Sequence, residues 1–284
     1  MSWSPASGRR ELEARLQQIG GRPDEDIDLA EAGLLLGAIN DPKAPLERYR
    51  HHLSLLVRDT ADLGARLGAA DSLEARARAL QAILAERYEY RGDQNTYEDL
   101  QNANLLRVID RRRGLPVALG VLYIHAAAQQ GWEISGINFP AHFMIRLQLG
   151  GERAVLDPFH GGVRRDTADL RAMLKAFTGE AAELTPEHYA PVGRRDILLR
   201  LQNNIKLRLL GDKRQQDALE VLETMLMIAP GSAALWREAG ILHVELGHLR
   251  AGILSLEQYL QLGGQAPDRH EVAAVLQRLR AQLH

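Results

Sequence analysis

Apolar positions recur with a helical period along most of this chain. Leu12, Leu16 and Ile19 form one stripe within 10–19. Residues 26–39 predict a second helix whose acidic start suits the helix dipole. Asp41-Pro42 then supplies a cap and a first-turn proline for a helix running to about Gly68, with Leu53, Leu56, Val57 and Leu63 on one face. Asp71-Ser72 caps the next, and Leu73, Ala77, Leu80 and Leu84 carry it towards Tyr88. The polar run 91–95 reads as a loop. A short helix is expected at 104–110, stopped by Arg-Arg-Arg-Gly-Leu-Pro at 111–116. Pro116 opens an apolar helix, 117–130, that Gly131 closes.

The period then changes. Residues 132–139, 142–149 and 153–156 are short and rich in β-branched or aromatic side chains, and Gly150-Gly151 between the last two predicts a hairpin. Helical pattern resumes at 167–177. In the last third, Leu201, Asn204, Gly211, Ala218, Leu222 and Pro230 form one helix-turn-helix set. Trp236, Gly240, Gly247, Gly252 and Leu256 mirror it about 36 residues on, close to the tetratricopeptide period. The second copy fits that pattern, with bulky Trp236 four residues before small Gly240. The first departs from it, with Asn204 at a small-residue position. Residues 268–283 read as a capping helix, because a terminal repeat must cover an apolar face. The fold class expected is α+β: a mainly helical domain with a small antiparallel sheet over 1–190, then an all-α repeat region over 191–284.

Composition narrows the function classes. The 284 residues are 45% apolar and 25% charged, with a net charge of -2. That balance lacks the surplus of Lys and Arg that phosphate contacts need, so no nucleic-acid partner is expected. Neither apolar run, 32–39 or 117–124, approaches the ~20 residues of a membrane span. The N-terminal stretch has no apolar segment behind a basic start, so no signal peptide is expected and a cytoplasmic location is. There are no cysteines. That removes disulfides, thiolate zinc sites, iron-sulfur clusters and every thiol nucleophile together.

The candidate chemistry lies on the hairpin. His142 opens one strand and Asp157 ends the next, so the Gly-Gly turn can bring them side by side. A carboxylate beside an imidazole fixes its tautomer and raises its basicity, which is the orienting half of a nucleophile-base-acid triad. The same pair can equally be a strut between two strands. With His160 the two could also offer metal ligands, although no metal or cofactor is expected. Arg107 and 111–113 make a basic patch, suited to charge pairing with Glu98 and Asp99 or to helix capping. His125, in an apolar helix, reads as a core residue.

Three stretches, NLLRVIDRRRGLPVALGVLY from 104, GINFPAHF from 136 and LDPFHGG from 156, resemble the SirB-type family. Its members join a transglutaminase-like domain to C-terminal tetratricopeptide repeats, in the order seen here. Transglutaminase-like catalytic domains use a Cys at a helix start, then a His and an Asp on adjacent strands. The resemblance puts His142 and Asp157 on the latter two positions and the Cys position near Pro116, with Leu115, Val117 and Ala118 as close competitors. None of the four is a nucleophile. Asn102, Asn104 and Asn138 are candidates to line the same cleft or to satisfy turn backbone.

The leading expectation is therefore a non-catalytic transglutaminase-like protein that binds a protein or peptide. Its repeats, marked by Ala218, Pro230, Trp236, Gly240 and Gly247, and its degenerate cleft would supply the surface. The competing expectation is a Cys-independent hydrolase in which His142, oriented by Asp157, activates water directly or on a metal.

Overall fold

A computed structural model describes residues 5–140, 142–263 and 266–282. The chain is α+β. Its helices are α1 (Pro5–Gly20), α2 (Leu29–Ala38), α3 (Leu46–Leu67), α4 (Leu73–Leu80), α5 (Leu105–Arg111), α6 (Pro116–Ala128), α7 (Thr167–Thr178), α8 (Arg194–Gly211), α9 (Gln215–Ile228), α10 (Ala233–Glu245), α11 (Leu249–Gln261) and α12 (Ala266–Gln282). The strands are β1 (Arg91–Gly92), β2 (Arg113–Gly114), β3 (Glu133–Phe139), β4 (His142–Leu149), β5 (Glu152–Asp157), β6 (Val163–Arg165) and β7 (Pro191–Val192). Two compact units result: Met1–Leu12 with Pro23–Leu201, and Glu13–Arg22 with Gln202–His284. Among the described residues no helix is long and apolar enough to cross a membrane.

Local chemistry explains most boundaries. Ser72 caps α4 by accepting from the Ala75 amide, and Gly68 ends α3 in the left-handed region at φ 72°. Pro116 occupies the first turn of α6, where its missing N–H costs nothing. This helix is apolar on every side and buried on nearly every side, as a central core helix must be. It packs against β4 where Gly120 leaves room for the Phe143 ring.

Several expectations are corrected. Asp41 does not cap α3, which begins at Leu46 after Pro45. The second helix begins at Leu29 rather than at 26, because Asp28 caps it by accepting from the Ala30 and Glu31 amides. The helix after Ser72 changes to π geometry over Gln81–Arg87. The run 91–95 is not wholly loop, because β1 pairs in parallel with β2. The main sheet has five strands rather than three, in the order β6-β5-β4-β3-β7 with every neighbour antiparallel. Gly150 and Gly151, both at positive φ, make the β4–β5 turn as expected.

In the second unit the repeat residues sit where backbones come close. A Cβ at Gly240 would lie 2.6 Å from the Leu256 side chain, and one at Gly252 would lie 3.2 Å from the Gly240 carbonyl oxygen. Those glycines set the α10–α11 crossing. Gly247, at φ 78°, makes the turn between them. Ala218 is fully buried on α9, and the Pro230 carbonyl accepts a 2.8 Å hydrogen bond from the Trp236 indole. Ile253, Leu256, Tyr259, Val272, Leu276 and Leu279 join α11 to α12, so the last helix covers the apolar face of the repeat before it.

Candidate functional site

His142 and Asp157 meet. The Nε2 of His142 lies 2.9 Å from Asp157 Oδ1, and both residues are buried, at 7% and 0% exposure. The sheet register explains the meeting. His142 begins β4 and Asp157 ends β5, two strands paired from Leu149↔Glu152 to Ile145↔Leu156.

Asp157 is more than a partner for one histidine. It caps the 3-10 turn Pro158–His160, accepting from the His160 amide. Gly161 and Gly162, at φ 72° and 75°, then turn the chain back into β6. That return carries Arg165 alongside. Arg165 donates to Asp157 Oδ2 through Nε at 3.2 Å and Nη2 at 2.9 Å, and His160 Nδ1 lies 2.7 Å from the same oxygen. Burial alone would raise the Asp157 carboxyl. The hydrogen bonds from His142, His160 and Arg165 outweigh it and hold the group well below the usual carboxylate range. An ionised carboxylate only accepts, so His142 carries its proton on Nε2 and His160 on Nδ1. The described residues give His142 Nδ1 no hydrogen-bond partner.

Aromatic rings enclose the pair. Phe159 meets His142 and His160 edge-on, with centroids 6.0 and 5.3 Å away, and Tyr97 meets Phe159 at 5.9 Å. Gly92 is required there, because a Cβ would stand 2.4 Å from the Phe159 ring. Tyr123, from α6, ends in a buried hydroxyl without a partner, and its ionisation is pushed up first by burial and then by the Asp157 charge. His160, with 40% of its side chain exposed, reaches the wall of an open depression of about 810 Å³. Arg91, Asp93, Asn95, Thr96, Arg111 and Phe159 line the same depression.

The other residues singled out from sequence have definite places. Pro116, Leu115, Val117 and Ala118 are all buried at the start of α6. Asn102 donates to the Thr96 carbonyl at 2.6 Å and accepts from Arg111 at 3.0 Å. Asn104 caps α5 and donates to the Gly37 carbonyl at 2.9 Å. Both amides are thus committed to backbone and charge contacts, and neither lines the depression beside His160. The Asn138 side chain lies outside the described residues. Its backbone pairs with Phe143. The basic patch is internally compensated at Arg111, which binds Asp93 at 3.0 Å. Asp93 in turn is drawn down to about 2: burial opposes the shift, and hydrogen bonds from Thr96, Asn102 and Asn95 carry it.

Sequence reasoning missed Arg165 and the closing of His160 on Asp157. The available signal was the Gly161-Gly162 pair, which has the composition of a tight turn. Taken as such, it would have folded the next residues back onto Asp157.

Comparison with known proteins agrees with this architecture. The family model for the transglutaminase-like superfamily matches residues 47–203, and a tetratricopeptide-repeat model matches 205–277. A UPF0162 protein of Xylella fastidiosa is 30% identical over 203 residues, covering 69% of this chain and 70% of that protein. A UPF0162 protein of Vibrio cholerae is 29% identical over 242 residues, covering 84% and 88%. Protein SirB1 of Salmonella typhimurium is 24% identical over 179 residues, covering 63% and 64%. The chain belongs to the transglutaminase-like superfamily, in the SirB-type group that adds tetratricopeptide repeats to that domain.

Proposed function

We propose that this chain is a non-catalytic transglutaminase-like protein that binds a protein or peptide through its repeats and its degenerate cleft. One observation carries the reading. The His142–Asp157 pair is intact, yet the chain has no cysteine and only apolar residues stand at the expected nucleophile position. Acyl transfer through a thioester is therefore closed. The closed hydrogen bonding of Asp157 supports a strut: both its oxygens are taken, and Arg165 neutralises it. Exposed apolar side chains on the repeats, Ile241 and Leu254 at 40% and 66%, offer contact area for a partner.

A hydrolase is the second reading. The tautomer that Asp157 imposes leaves His142 Nδ1 a lone pair, the atom that would take a proton from water. His142, Asp157 and His160 also bring their ligand atoms within 4.8 Å of one another. As a metal site this set fits poorly, because the atoms that would coordinate already bond each other and Arg165 donates into the same carboxylate. No step is routed through an ion.

The test is affinity capture from native lysate with wild type, His142→Ala, Trp236→Ala and Leu254→Glu in parallel. Leu254 is exposed, so its variant alters the surface without emptying the core. A partner lost with Trp236→Ala and Leu254→Glu but retained with His142→Ala is the expected result. Loss with His142→Ala alone, in a variant shown to be folded, returns the function to the cleft.

A further inference from the structure

A second cavity, of about 600 Å³, opens on the sheet away from the His160 depression. Its floor is set by register. Val155 on β5 pairs with Arg146 on β4 and with Arg165 on β6, so both arginines flank it on one face. Arg153, two residues before Val155, faces the same way. Leu170 of α7 and Leu184, Pro186 and Tyr189 of the following segment wall the space.

Positive charge predominates there, with Asp166 as the one acidic side chain against four arginines in the lining. Arg165 is committed to Asp157 and Arg164 to Glu74. Arg146 and Arg153 have no ion-pair partner among the described residues. Arg146 donates through Nη1 to the Tyr189 carbonyl at 2.7 Å, while its Nε–H is buried with nothing to bond. Burial and the neighbouring Arg153 act against its charge and outweigh the support it gets from Glu133. A buried donor left open beside a cavity is a free bonding position for an acceptor that enters it. A guanidinium fork recognises planar carboxylate or phosphoryl oxygens.

We propose that this cavity binds a small organic anion: a carboxylate or phosphoryl head held by Arg146 and Arg153, with an apolar body against Val155, Leu170, Leu184 and Pro186. The volume lies within the range of small-molecule sites. Arg165, though in the lining, stays on Asp157 and is not counted among the anion's contacts.

Calorimetric titration of the full chain tests it, with hexanoate and phenyl phosphate as ligands and hexanamide and inorganic phosphate as controls. At least one of the two amphiphilic anions is expected to bind tenfold or more tightly than either control, and which one binds assigns the head group. Arg146→Met combined with Arg153→Gln is expected to weaken that binding at least tenfold, and Arg278→Gln, on α12, to leave it unchanged. Arg153→Gln alone serves if the double variant does not fold. Failure of both anions to bind wild type overturns the proposal. Equal binding by the folded cavity variant does so too, and inorganic phosphate binding as well as phenyl phosphate removes the apolar body.

Discussion

Arg165 binds one oxygen of Asp157, Oδ2, through both Nε and Nη2, from the strand next to the one that Asp157 ends. With His160 on the same oxygen, only Oδ1 remains for His142. The arginine thus holds the carboxylate ionised and turned towards the imidazole. Arg165→Leu removes the guanidinium from a fully buried carboxylate. Unfolding in urea should show a loss of about 2–3 kcal/mol, less than the ~3–5 kcal/mol of a fully buried pair because the arginine is partly exposed. A variant as stable as wild type would show that the two histidines suffice.

Stability should fall as pH drops from about 6.5 towards 4. His52 is held neutral in the fold, down to about 4, by burial and by Arg112, whose Nη1 lies 2.8 Å from Nε2. The unfolded chain takes up a proton near 6.5, the folded chain does not, and so acid favours unfolding within that window. Allowing for solvent screening at a half-buried ring, the drop is about 1–2 kcal/mol. His125 is lowered by burial and adds in the same sense. Asp157, ionised in the fold throughout this range, adds slope only below about pH 5, where its unfolded form begins to take up protons. His52→Gln keeps an acceptor for Arg112 and should flatten the stability–pH curve measured by urea unfolding. An unchanged slope would rule His52 out as its source.

Two glycines should respond in opposite directions to alanine. At Gly120 the helix propensity gained is about 1 kcal/mol. The added Cβ, however, would stand 2.4 Å from the Phe143 ring between α6 and β4, and overpacking of that kind costs about 1–3 kcal/mol. Gly120→Ala should therefore destabilise. Gly211 has nothing within 4 Å of an added Cβ, and Gly211→Ala should gain about 0.4–1 kcal/mol. Thermal midpoints read both, and a rise with Gly120→Ala would mean that Phe143 has room to move.

Much of this fold is legible in residue chemistry because its signals are local. Ser72, Pro116, Gly131 and the Gly150-Gly151 turn act through their own backbones, and all four lie where pattern put them. The α3 start was misplaced because two prolines compete. Pro45 disfavours helix at Ala44, which overrides the cap that Asp41-Pro42 offers. β6 and β7, of three and two residues, carry no period of their own and exist only through pairing with β5 and β3. The same blindness hid Arg165, whose position depends on that pairing. His142 and Asp157 were readable because a recognisable turn joins their strands.

The most direct measurement is a double-mutant cycle on His142 and Asp157, followed by urea unfolding of wild type, His142→Ala, Asp157→Asn and the pair. A non-catalytic strut predicts that each single substitution destabilises and that the two couple by about 1 kcal/mol or more. A poised catalytic site is commonly held at a cost in stability, so substituting its residues leaves the fold as stable or more so. Variants that match or exceed wild type, with no coupling, would contradict the account.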